Sequence, residues 1–439
     1  MINIPQQVSL ALCQMKNAGY EAYIVGGCVR DFLLGRIPSD YDITTNALPE
    51  QTQNIFNSFR CIDIGKKHGT IAVMINGMQI EITTYRIDGK YSDKRHPETV
   101  SFSSSLKDDL SRRDFTINAM AYNAEEGIVD CYGGQQDIEE KIIRCVGDPL
   151  KRFNEDALRI MRAVRFASQL GFKIDPLTRK NIFELKETLK LISAERLRGE
   201  LQKLICGKAA FEILMEYHEI ITVFIPEAAD CIKFDQHNKY HKYTVWEHIA
   251  RSIMNSPSDP LIRITMLLHD IAKPSCFSLD QKGNGHFKKH PEIGAEMAGN
   301  ILKRLKYDNK TIHDVVTLIK YHDFKFRSRQ DIKRIMSAIG TSLFYRLIDV
   351  QQADADSKDG ICHSLINDLE WVRTTADNII ENKECIFISD MNINGYQLLR
   401  QGYEGKQIGH ILNTLLNEVI NDTLPNEYNA LCQRAGQII

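Results

Sequence analysis

Residues 22–47 read AYIVGGCVRDFLLGRIPSDYDITTNA, and the order of residue types in this stretch decides the fold. Ala22-Tyr-Ile-Val25 is a short apolar run ending in Gly26-Gly27. A helical pattern follows, apolar at Val29, Phe32 and Leu33 and polar at Arg30 and Asp31. Glycines between a strand and a helix let backbone N–H groups approach a triphosphate at the helix N-terminus. Arg30, one turn into that helix, can neutralise phosphate charge. Asp40 and Asp42 then stand two residues apart. In a strand, residues i and i+2 share a face. Two carboxylates on one face suit Mg²⁺, with phosphate oxygens completing its octahedron. Two such ions activate an attacking hydroxyl and steady a leaving pyrophosphate. A lone DxD is more often a solvated turn; the glycine pair and Arg30 upstream reverse that balance.

Further strands are expected at Thr70–Ile75 and Met78–Thr84, joined by the hairpin signal Asn76-Gly77. Glu81 lies among apolar residues in the second of these. It reads either as a solvent-facing residue or as a third acid supporting the metals. Residues 85–99 are polar and read as a mobile loop. From about residue 141 strand patterning gives way to helical periodicity, with Asp148-Pro149 at the junction. Residues 141–208 carry 16 Lys+Arg against 8 Asp+Glu, a local basic surface next to the head.

The bulk numbers bound the reading. A chain of 439 residues exceeds one hydrophobic core, so several domains are expected. Hydrophobic content of 43% and charged content of 26% are those of a globular protein. The net charge of −2 makes no global case for nucleic-acid binding. Eleven cysteines without a CxxC pair, some in apolar runs such as Cys28 and Cys145, indicate small buried thiols in a reducing compartment. MINIPQQ at the start has neither a basic n-region nor an apolar h-region, and no run reaches a membrane span. A cytoplasmic protein without a membrane partner is expected; the sequence sets no oligomeric state.

The motifs then fall in a specific order: GGCVRD at 26–31, SDYDITTNA at 39–47, GKKHGTIAV at 65–73, EITTYR at 81–86, RRDFTINAMAYN at 112–123, NEDALRIMRAVRFA at 154–167 and AERLRGEL at 194–201. Together they resemble the nucleotidyltransferase superfamily, specifically the bacterial (class II) tRNA CCA-adding enzyme and poly(A) polymerase family. The resemblance implies a multidomain α+β chain. Its parts would be a nucleotidyltransferase head with a mixed or antiparallel sheet (1–140), an all-α neck for nucleotide selection (141–225), an HD phosphohydrolase-like domain (226–360) and a helical tRNA-binding tail (361–439).

Asp156 and Arg159 are spaced i, i+3 and so are expected on one helical face. Ionised Asp only accepts and Arg only donates hydrogen bonds. Cytosine offers its N4 amino group beside the N3 acceptor, and adenine offers its N6 amino group beside N1. Both match an Asp/Arg pair; uracil and guanine present the reverse order. Such a bidentate match discriminates by roughly 1–3 kcal/mol. The competing reading is a surface salt bridge of little worth. Arg162 and Arg165 continue the spacing and would bind triphosphate or RNA backbone. The resemblance implies nucleotide binding for these arginines and for Arg113; Arg112 reads equally as a structural neighbour. It also makes 85–99 the loop that reshapes the pocket between C and A addition.

LLHDIAK at 267–273 looks like the HD phosphohydrolase signature, with His269 and Asp270 central and His248 and Asp354 as outer ligands. His and Asp together suit a divalent metal, its identity left open by the sequence. His290 and His322-Asp323 are further candidates for a second ion. Many relatives carry such a domain, which implies a phosphatase or cyclic phosphodiesterase.

The expected function is template-independent addition of C, C and A to the tRNA 3′ end from CTP and ATP, with Mg²⁺ on Asp40 and Asp42. The rivals are an enzyme adding only A or poly(A), and an HD phosphohydrolase whose head binds RNA.

Overall fold

The computed structural model describes residues 4–89, 100–237, 243–358 and 363–438. They form two compact units, Met1–Pro226 and Glu227–Ile439.

After an opening helix, Gln6–Asn17, the head carries the strands β1 Ala22–Val25, β2 Asp42–Thr45, β3 Arg60–Gly65, β4 Thr70–Ile75, β5 Met78–Thr84, β6 Arg86–Asp88, β7 Val100–Phe102, β8 Met120–Asn123 and β9 Gly127–Asp130. Seven of them make one sheet in the order β3-β4-β5-β2-β1-β8-β9. β2 and β5 pair in parallel, while the other neighbours are antiparallel. β4 and β5 are rich in β-branched residues, which suit a pleated, half-buried surface. Their hairpin turns through Asn76 at φ 46° and Gly77 at φ 81°, the two positive angles a type I′ turn requires. The register places Asp42 opposite Val25 on one side and opposite Glu81 on the other.

The loop expected at 85–99 is shorter than its polarity suggests. Tyr85 is fully buried, and β6 pairs with β7 as a ribbon. Residues 90–99 lie outside the described residues.

Three helix starts repeat one device. Asp148, Asp175 and Asp259 each precede proline, and each carboxylate accepts a backbone N–H of the first turn. In the neck the helix Leu158–Leu170 is buried on nearly every face and packs against Ala194–Ile205. Its close approach needs Gly207, where a Cβ would sit 2.1 Å from Ser168 Oγ and 2.6 Å from its carbonyl carbon. The neck is not wholly helical. Ile142–Ile143 pairs in parallel with Lys173–Ile174, a two-residue stitch too short to show as strand periodicity.

The second unit is helical apart from the hairpin Phe277–Leu279 with Gly285–Phe287. Its C-terminal helices close over Leu398, Ile411, Leu415 and Leu431. No helix of the described residues is long and apolar enough to cross a membrane.

Gly207→Ala should destabilise the first unit by about 1–3 kcal/mol, the usual cost of forcing a methyl into a packed contact. Urea denaturation reads this as a lower midpoint at unchanged slope.

Candidate active site and a buried histidine–aspartate cluster

The segment between β1 and the helix Gly27–Leu33 turns at Gly26, whose φ of 84° is cheap only for glycine. A Cβ there would also meet Arg113 Nη1 at 3.0 Å. Arg30 follows on the helix and is held by two partners. Its Nη1 donates to Asn118 Oδ1 at 2.7 Å, and its Nε and Nη2 donate to Asp31 Oδ1. Asp42 begins β2, while Asp40 lies just before the strand. The acidic pair therefore straddles a strand entry; both residues still line one cleft of about 750 Å³.

Gly26, Gly27, Arg30, Arg113, Arg162 and Arg165 line the same cleft. One wall is thus acidic and the others are basic. Water reaches the Asp42 carboxylate, but the surrounding protein thins the solvent around it. That desolvation, with Glu81 and Asp40 nearby and only Arg113 opposing, pushes its pKa up to about 6. A carboxylate so placed favours a partner cation.

Other neck residues complete the walls. Arg162 pairs with Asp114 at 2.6 Å, and Arg165 pairs with Glu200 at 2.7 Å. Burial pushes the Asp114 carboxyl up, but Arg162, Asn118 and Arg159 outweigh it and hold it at about 2. The Phe166 ring gathers three guanidinium groups, Arg165 at 3.6 Å, Arg30 at 5.0 Å and Arg162 at 5.3 Å from its centroid. Asp114, Asn118 and Phe166 were absent from the sequence reading of the site. Asp114 and Asn118 stand within RRDFTIN beside Arg113, and Phe166 follows Arg165, so adjacency was their only signal.

Asp156 and Arg159 do not share one helical face. The helix Pro149–Glu155 stops at Asp156, whose Oδ1 accepts the N–H of Leu158 and starts the next helix. Its Oδ2 accepts from Arg196 Nη2 at 2.8 Å. Arg159 donates instead to Glu155, to Arg152 O and to Arg112 O. The residues that line the cleft include neither of them, nor Glu81.

In the second unit, His248, His269, Asp270 and Asp354 bring one ligand atom each to within 4.8 Å of one another, all buried. They come from the helices Val245–Asn255 and Thr341–Asp356 and from the residues after Pro260–Leu268. His269 Nδ1 donates to Met266 O at 2.8 Å, so its Nε2 is turned inward. Burial disfavours a charged His269, yet Asp270 and Asp354 outweigh it and lift its pKa to about 9; burial lowers that of His248. The cluster attracts positive charge, and its donor set suits a divalent metal. Asp323 is exposed and is not among the grouped ligands.

The family described as "Poly A polymerase head domain" matches residues 22–144. "Probable RNA and SrmB- binding site of polymerase A" matches 171–232, and "tRNA nucleotidyltransferase domain 2 putative" matches 290–435. The CCA-adding enzyme of Leuconostoc mesenteroides is 31% identical over 98% of this chain and 95% of its own length. That of Geobacillus thermodenitrificans is 48% identical over 51% of this chain, and the match spans 55% of that relative. The crystal structure of Bacillus stearothermophilus CCA-adding enzyme in complex with CTP is similar over 98% of each chain, with a TM-score of 0.72 and 28% identity.

The raised pKa of Asp42 sets a pH dependence. Protonated Asp42 is favoured by folding, so its contribution is present below the unfolded value of 3.8 and is lost as pH rises through about 6. Asp42→Asn should therefore melt above the wild type at pH 8 in chelator. Solvent screening limits the gain to about one or two degrees. The two should coincide near pH 4, and divalent metal should stabilise only the wild type.

Proposed function

The chain belongs to the CCA-adding enzyme family, and we propose that Asp40 and Asp42 hold the divalent ions of its nucleotidyl transfer. The protein is a CCA tRNA nucleotidyltransferase that adds C, C and A to the tRNA 3′ end from CTP and ATP without a template. The observation that carries the site assignment is the cleft that joins this acidic pair to Arg30, Arg113, Arg162 and Arg165.

The donor set fits Mg²⁺, because the two metal-holding side chains offer carboxylate oxygens and no nitrogen or sulfur. When bound, the ions supply charge neutralisation at the phosphates and a more acidic attacking hydroxyl. In the reaction the tRNA 3′-oxygen bonds to the α-phosphorus, the bond to the bridging oxygen breaks, and pyrophosphate leaves. The four arginines take up triphosphate charge, and Gly26-Gly27 lets the backbone come close to it. Glu81, across the parallel register from Asp42, keeps the site acidic as a third carboxylate. Little covalent chemistry falls to side chains, so positioning and charge carry the rate.

Asp156 and Arg159 select the base by the acceptor–donor order that cytosine and adenine share. Both are engaged before nucleotide arrives, Asp156 by Arg196 and Arg159 by Glu155. An incoming base therefore exchanges one set of polar partners for another, so a base of the wrong order leaves buried groups unpaired. The division at 1–140, 141–225, 226–360 and 361–439 assigns chemistry, selection, a second metal site and tRNA binding in turn.

Three tRNAs, ending before CCA, after C and after CC, are given each nucleotide separately. The wild type should add C, C and A in order. Addition of A alone, and only to the CC-ended tRNA, would replace this reading with an A-adding enzyme. Asp42→Ala should lose incorporation by at least a thousandfold; extension at the wild-type rate would refute the site. Asp156→Asn should admit UTP, cutting discrimination by roughly 10- to 100-fold, in line with about 1–3 kcal/mol per bidentate match.

A further inference from the structure

We infer that Asp109 is a positioning residue: its buried carboxylate ties the strand that carries Asp42 to the two arms that hold a nucleotide. One arm is the Arg113 guanidinium at the triphosphate. The other is the base-reading Arg159, reached through Arg112. That role rests on the assignment of Arg113 and Arg159 to the nucleotide. Asp109 itself does not line the cleft, so it acts through other residues.

Asp109 stands near the end of the helix Leu106–Ser111 and is fully buried. Residues two apart on a strand share a face, so Thr44 points the same way as Asp42. The Thr44 hydroxyl lies 3.1 Å from Asp109 Oδ2 and 3.3 Å from Thr83 O. A hydroxyl has one proton to give, and the charged acceptor is the closer of the two. The carboxylate is thus anchored to β2 two residues beyond Asp42.

Both of its oxygens also meet an arginine. Arg112 gives Oδ1 two donors, Nε at 2.9 Å and Nη2 at 2.6 Å. Arg113 Nη2 lies 3.3 Å from Oδ2. Burial pushes the Asp109 carboxyl up, but the two guanidinium groups outweigh it and hold it below the usual carboxylate range. An unpaired charge at this depth is costly, so Asp109 fixes the arginines as firmly as they fix it.

Each arginine has a second engagement. Arg113 lines the cleft, with Nη1 3.0 Å from where a Cβ on Gly26 would stand. Its buried Nε has no hydrogen-bond partner among the described residues. Spending Nη2 on Asp109 therefore sets the guanidinium beside the glycine turn without using up its donors. The Arg112 side chain folds back onto Asp109, while its carbonyl oxygen accepts from Arg159 Nη2 at 2.9 Å. Both arms hang from one carboxylate, so a single substitution there should loosen triphosphate binding and base choice together.

Three variants of the full chain separate the arms. Each is assayed on the tRNA ending before CCA, with CTP and with UTP, and melting curves are recorded. The inhibition constant of pyrophosphate reads the triphosphate arm without a base. The CTP:UTP ratio of kcat/KM reads the base arm. Arg113→Gln should raise the inhibition constant about tenfold, the loss of one charge-assisted contact, and leave the ratio near wild type. Arg112→Gln should do the reverse, lowering the ratio about tenfold at an unchanged inhibition constant. Asp109→Asn, which keeps the shape and removes the charge, should do both, with kcat within about threefold of the wild type. A merely structural Asp109 would cut the fraction of active molecules, and so kcat, at unchanged inhibition constant and ratio; that result overturns the proposal. Arg112→Gln leaves Asp109 paired with Arg113, so it tests the base arm even where Asp109→Asn does not fold. A wild-type ratio there overturns that arm. A wild-type inhibition constant in Arg113→Gln overturns the assignment of Arg113 to the triphosphate, and the first arm with it. The same constant in Asp109→Asn, beside an impaired Arg113→Gln, overturns the positioning role alone.

Discussion

One hydrogen-bonded chain, Arg162–Asp114–Asn118–Arg30, spans the cleft from the neck helix to the helix after β1. The site geometry depends on it. Arg162 and Asp114 lie 48 residues apart in sequence; Asp114 is buried, while the Arg162 side chain stays partly exposed to the cleft. A buried ion pair adds little net stability, because desolvation offsets most of its attraction. Its effect here is positional. Breaking it leaves an unpaired buried charge, so the neck helix has one comfortable setting against the head. The Phe166 ring reinforces that setting, since Arg30 from the head and Arg165 from the neck both lie over it. The cleft arginines are therefore held by protein partners, and a ligand pairing with them would lose less entropy on binding.

The parts of the head that were legible in the sequence are those set by local chemistry. The strand into Gly26, the Asn76-Gly77 hairpin and the β-branched runs of β4 and β5 each rest on a few adjacent residues. The cleft position of Asp40, Asp42, Arg30 and Arg113 followed from motif order. Asp156 shows where this fails. An Asp within NEDALR can occupy a helix or start one, and the choice depends on whether a neighbouring N–H is free to be capped. Here it is, so one expected helix becomes two. The chain through Asp114 and Asn118 was equally out of reach, because its donors and acceptors meet only after folding. The Phe166 cluster was hidden for the same reason, and polarity alone could not reveal that residues 86–88 pair with 100–102.

The second unit follows a different logic. His269, His290 and His322 each donate Nδ1–H to the carbonyl three residues earlier, Met266, Phe287 and Ile319. The same local turn thus fixes three rings in one tautomer with Nε2 inward. The spacing of the histidines along the chain discloses none of this. The HD dipeptide marks a candidate, but the inward orientation comes from where each helix ends or begins.

The two donor sets also separate two kinds of metal use. The head offers two carboxylates at an accessible strand entry, and phosphate oxygens must complete any octahedron there. The His/Asp cluster is buried and rich in imidazole, with His269 held beside Asp270 and Asp354. Imidazole suits transition metals better than Mg²⁺. Ligand chemistry alone would thus steer different cations to the two donor sets.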